Sequence, residues 1–105
     1  HGKVLWPRIG VGIDDVTPAN AEKLGLSVDR GVLVLSLTKD GPAEHAGIES
    51  NDVIVALGGE SITKFTEMRR LMLNKYSIGD SLTVTVIRGI DKLDFVVVLD
   101  ELVFD

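Results

Sequence analysis

Side chains suited to acid–base or metal chemistry are scarce here: the 105 residues include two histidines, His1 and His45, and no cysteine. A nucleophilic serine needs a base within hydrogen-bond reach. His1 stands at the terminus, and His45 falls in "PAEHAG", where it is read as a solvated side chain. Neither G-x-S-x-G nor H-E-x-x-H occurs, so there is no nucleophile elbow and no pair of zinc-binding histidines. The alternating acidic residues of a calcium loop are missing too, and Asp14-Asp15 is read as a solvated strand end. "GVGIDD" is not G-x-G-x-x-G, and its glycines sit in a strand pattern, which argues against a dinucleotide site. The expectation is a chain with no catalytic residue, no metal and no cofactor of its own.

Backbone can do chemistry where side chains do not. In "RIGVGIDD" the apolar residues Ile9, Val11 and Ile13 alternate with Gly10 and Gly12. Interior glycine weakens a strand and marks a bulge or the close approach of another backbone. Successive N–H groups in a loop that leads into a strand can form a concavity for a carboxylate. An unpaired strand edge can accept an extended peptide. Ile9 and Val11 would then line a pocket for an apolar terminal side chain. The other reading is an ordinary edge strand with two bulge glycines.

The elements that must position this stretch follow from local signals. Thr17, Pro18 and Gly25 start and stop a short helix, Pro18 to Leu24. "GVLVLSL", Gly31 to Leu37, reads as a strand buried on both faces. Asp40-Gly41 makes a turn, Pro42 opens one or two helical turns, and Gly47 closes them. Val53 to Leu57 is a strand that turns at Gly58-Gly59 into a very short return strand. The longest helical pattern carries Phe65, Met68, Leu71, Met72 and Tyr76 at spacings mostly of three or four, with Arg69 and Arg70 nearer water. A hairpin follows, with its turn at Gly89-Ile90-Asp91. Trp6-Pro7 either anchors the entry to the first strand or is an exposed linker pair.

Composition bounds the rest. With 45% hydrophobic residues, 5% aromatic and a net charge of -5, the chain makes one domain with a Val/Leu/Ile core and is unsuited to nucleic acid. No apolar run has the length of a membrane span and no signal peptide is visible. The opening His1-Gly2, without an initiator Met, reads as part of something larger.

"GPAEHAGIESNDVIVALGGESI" resembles the central signature of PDZ domains, on Gly41, Pro42, Ala43, Ala46, Gly47, Ile48, Asp52, Val53, Ile54, Gly58 and Gly59. The resemblance continues through "FTEMRRLM" and "IGDSLTVTVIR" and covers nearly all of residues 8–100. The insert "DDVTPANAEKLGLSVDRGVLV" looks like the PDZ domains of HtrA/Deg-type serine proteases. Ile9-Gly10-Val11 fits that family's carboxylate-binding loop. Arg8 stands where an aromatic residue is frequent, and Gly12 is unusual there.

The resemblance implies an α+β fold: a small, mostly antiparallel β-sandwich or partial barrel of five to six strands, capped by two main helices, in the circularly permuted bacterial arrangement. Residues 1–7 would be a linker remnant, 8–100 the PDZ domain and 101–105 a tail. The implied function is capture of C-terminal or unfolded polypeptide segments. The site would be Ile9, Gly10, Val11, Gly12 and Ile13, with Phe65, Met68, Arg69 and Met72 as the helical wall; plain core packing is the other reading of the helical residues. The implied parent is a trypsin-like serine endopeptidase in extracytoplasmic quality control, at the periplasm or cell envelope, as a homotrimer or larger oligomer. Alternatives are a PDZ domain of a site-2 metalloprotease or C-terminal processing protease, an architectural oligomerisation domain, and recognition of internal loops.

Overall fold

The computed structural model describes residues 4–104. Strands and helices follow in the order β1 (Val4–Arg8), β2 (Val11–Asp15), α1 (Pro18–Leu24), β3 (Val32–Leu37), α2 (Pro42–Ala46), β4 (Val53–Leu57), β5 (Glu60–Ser61), α3 (Phe65–Lys75), β6 (Ser81–Arg88), β7 (Asp91–Val98) and β8 (Asp100–Phe104). Six strands form an open sheet in the order β2-β3-β4-β6-β7, with β5 paired to β4, and every pairing is antiparallel. The expected α+β architecture is therefore present, with three helices. Residues 4–8 and 100–104, which the sequence reading leaves without strands, pair with each other as a separate two-stranded ribbon. His1 and the side chains of Trp6 and Pro7 lie outside the described residues.

Local chemistry accounts for the helix bounds. The Thr17 hydroxyl accepts the Asn20 N–H while the Asn20 side chain accepts the Thr17 N–H, a reciprocal cap, and Gly25 ends α1 at φ 66°. Gly47 closes α2 in the same left-handed way, at φ 105°. The main core gathers Val32, Val34, Ile54, Leu57, Val84 and Val86 between the sheet and α3. A smaller cluster of Val16, Leu33 and Val53 lies under the α1 insert.

Two expectations are corrected. Only Val32–Val34 of β3 is buried on both faces; Leu35 is 52% exposed. The register explains this: Gly12 pairs with Ser36 and Ile13 with Val34, so Leu35 is the extra residue of a bulge. The β6–β7 turn is also shorter than expected. Asp91 pairs with Arg88, leaving Gly89-Ile90 as a two-residue loop with Gly89 at φ 64°.

Candidate peptide-binding site

β2 stands at one end of the strand order, with β3 on one side and no strand on its other edge among the described residues. Both β1 and β2 pack against α3. The start of α3 is set from β2. Lys64 at the N-cap provides no side-chain cap, and Asp15 Oδ1 accepts the Phe65 N–H at 2.6 Å instead. Asp15 is thus half-buried and engaged, not the solvated strand end expected of it. Glu67 reinforces the same turn: its carboxylate accepts the Thr63 hydroxyl at 2.6 Å and the Thr63 N–H at 2.7 Å, and these bonds hold its pKa below the usual value. A depressed carboxylate stabilises the fold above its unfolded pKa, and that contribution is lost as pH falls through the folded value. Asp15→Ala removes the α3 cap and is expected to cost about 1 kcal/mol, read as a shift of the urea midpoint; an unchanged midpoint would mean that water caps the helix equally well.

The loop before β2 answers what approaches Gly10. It sits at φ 81°, and a Cβ there would lie 3.1 Å from Pro42 Cδ. The close neighbour is the first turn of α2. Gly12 has a different reason: a Cβ on it would meet Ser36 Oγ across the bulge at 2.5 Å. The Ile9 carbonyl accepts the Ala43 N–H at 2.7 Å, and the Gly10 carbonyl accepts the Thr38 N–H at 2.9 Å. With both carbonyls committed inward, the N–H groups of Ile9 and Gly10 find no acceptor among the described hydrogen bonds. Adjacent free N–H groups flanking a left-handed glycine form an anion-binding concavity. Gly10→Ala is expected to destabilise the domain by about 1–2 kcal/mol, the cost of holding an L-residue left-handed. Thermal unfolding checks this, and an unchanged Tm would show that the loop relaxes freely.

The other sequence-derived residues are placed as follows. Ile9 is 2% exposed and belongs to the main core, as do Met68 and Met72 at 5% and 6%. Val11 and Ile13 are half-buried and pack on that core. Phe65 is half-buried and Arg69 exposed. Sequence reasoning missed the cap from Asp15 and the grip of α2 on the loop. Lys64, a poor cap, was the one local hint that the helix start needs a distant partner.

The PDZ domain family model matches residues 7–99, and the chain belongs to that family. It is 36% identical over 93 residues, 89% of its length, to the probable periplasmic serine endoprotease DegP-like of Rickettsia conorii. Over 95 residues, 84% of its length, it is 35% identical to the serine protease Do-like HtrB of Bacillus subtilis. It spans 18% and 21% of those two relatives. Among solved structures, the HtrA3 PDZ domain bound to the phage-derived ligand FGRWV superposes with a TM-score of 0.81 at 24% identity, covering 97% of this chain and 92% of that one.

Proposed function

We propose that this domain captures extended polypeptide ends by strand addition at β2, as the substrate-recognition module of an HtrA-type serine endopeptidase working outside the cytoplasm. The observation that carries the reading is the open β2 edge beside α3, which begins at the two uncommitted N–H groups of Ile9 and Gly10. A peptide lying antiparallel to β2 would place its terminal carboxylate at Ile9, Gly10 and Val11. Its last side chain would enter between Val11, Ile13 and α3, over a floor of Ile9, Met68 and Met72. Phe65, Gly12 and Arg69 would border the groove further along. Methionine adapts its shape, which suits a floor that meets several sequences. The names of the relatives support the protease context, and the peptide on the HtrA3 PDZ domain supports the mode of binding.

The test is selection of random peptides displayed with free C-termini on phage. Enrichment of sequences that share an apolar last residue, and lose binding when extended by two glycines, is expected. Enrichment of motifs at no fixed distance from the terminus would favour internal-loop recognition and reject carboxylate capture.

A further inference from the structure

The concavity at Ile9–Gly10 is shaped by α2, and α2 has little stability of its own. It is five residues long, and its N-cap residue Gly41 makes no side-chain hydrogen bond. An isolated helix of that length does not persist in water. Its geometry comes from packing, with Ala43 and Ala46 on the main core and the helix against β7, and from what grips its two ends. The N-terminal end meets the loop, through Ala43 N–H on the Ile9 carbonyl and Pro42 against Gly10. At the C-terminal end Ile48 is buried in the main core, and one polar side chain at the end of β6, on the same face of the sheet as Val84 and Val86, reaches the backbone. Arg88 Nη2 donates to the Gly47 carbonyl at 3.0 Å, while its Nε and Nη2 bind the two oxygens of buried Asp52 at 2.8 Å each. Asp52 in turn accepts the Glu49 N–H at 2.9 Å, just beyond the helix. The guanidinium lies 5.3 Å from the centre of the Phe95 ring. That ring packs on Gly47, where a Cβ would fall 3.2 Å from Phe95 Cε1.

We propose that Arg88 is a positioning residue for the carboxylate cradle. By fixing the Gly47 end of α2 it sets where Pro42 and Ala43 hold Ile9 and Gly10, and so where their N–H groups aim. The lever is short: five helical residues rise about 7.5 Å. Arg88 is outside the groove residues named above and acts through α2. The planar fork is what allows one side chain to hold both carboxylate oxygens and a carbonyl; a lysine offers a single ammonium point and cannot reproduce that geometry. The inference rests on the carboxylate-capture reading above.

The experiment uses FGRWV as free acid and as C-terminal amide, titrated on the unsubstituted domain and on Arg88→Lys, with backbone amide NMR spectra of both proteins without peptide. In the unsubstituted domain the acid should bind at least about tenfold more tightly than the amide. In Arg88→Lys that ratio should fall below about threefold, with amide affinity little changed and the Ile9 and Gly10 amide resonances displaced. A ratio kept at the parent value, or an equal loss for acid and amide, overturns the inference, because a merely structural role weakens both peptides alike. Equal or absent binding of acid and amide by the unsubstituted domain rejects carboxylate capture itself, and the inference falls with it. If Arg88→Lys fails to fold, Asp52→Asn leaves the guanidinium one carboxylate-type acceptor short and loosens its aim at the Gly47 carbonyl. It should lower the acid-to-amide ratio, and an unchanged ratio overturns the inference.

Discussion

Amidating the C-terminus of a bound peptide is expected to lower its affinity for this domain by at least about tenfold. Hydrogen bonds to a charged group are worth roughly 1.5–3 kcal/mol, and about 1.4 kcal/mol is a factor of ten. The N–H groups of Ile9 and Gly10 are the donors available for that bond. Being backbone, they are present at every pH and survive side-chain substitution. The measurement is therefore best made in pairs: acid against amide, on the parent domain and on a variant with Arg8 and Arg69 both changed to Ala. Retained discrimination in the double variant places the recognition in the backbone. Discrimination that vanishes there moves it to the side chains, and it should then also weaken with salt, since exposed charges are screened over about 10 Å at 0.1 M. Equal affinities in the parent domain would end the carboxylate model.

Arg88→Ala is expected to cost about 3 kcal/mol of folding stability, the low end of the range for stripping one partner from a buried pair. Asp52 is 1% exposed, and its charge would be left inside without a counter-ion. The low end applies because the Arg88 side chain is 33% exposed, so water screens part of the interaction. With a urea slope of about 1–3 kcal/mol/M for a small domain, the midpoint should fall by about 1–3 M. Changing both partners, Asp52→Leu with Arg88→Met, should recover much of the loss, because no uncompensated charge remains. A loss under about 1 kcal/mol for Arg88→Ala alone would mean that water reaches Asp52 once the arginine is gone.

What could be read from the sequence was local. Thr17, Pro18 and Gly25 lie within one short stretch and bound α1 at Pro18–Leu24, as the structure has it. The strand Val53–Leu57 and its glycine turn are equally self-contained. The errors have distant causes. Leu35 is apolar and sits in an apolar run, but its exposure follows from the register between β2 and β3, which neither strand states alone. Asp15 caps a helix fifty positions away, and the Asp52–Arg88 pair spans thirty-six. Nothing in the spacing of these residues marks them as partners. Gly10 was legible as a special position because glycine is the residue that adopts positive φ freely. That the first turn of α2 approaches it was not, since Pro42 is also explained as a helix opener.

The ribbon of β1 and β8 carries a mechanical consequence. Its five pairs run in order from Val4 opposite Phe104 to Arg8 opposite Asp100, so the two ends of the described chain leave as neighbours on one antiparallel ladder. A pull that separates residues 4 and 104 meets those pairs one after another, as a zipper does, rather than all at once in shear. Antiparallel cross-strand hydrogen bonds lie perpendicular to the strands, so each is loaded along its own axis and yields in turn. Tension of that kind is spent on the ribbon before it reaches the loop at Ile9–Gly10, which begins where the last pair ends. A tether on these two ends would peel the stem at low force and leave the six-stranded sheet unloaded until Arg8 and Asp100 part.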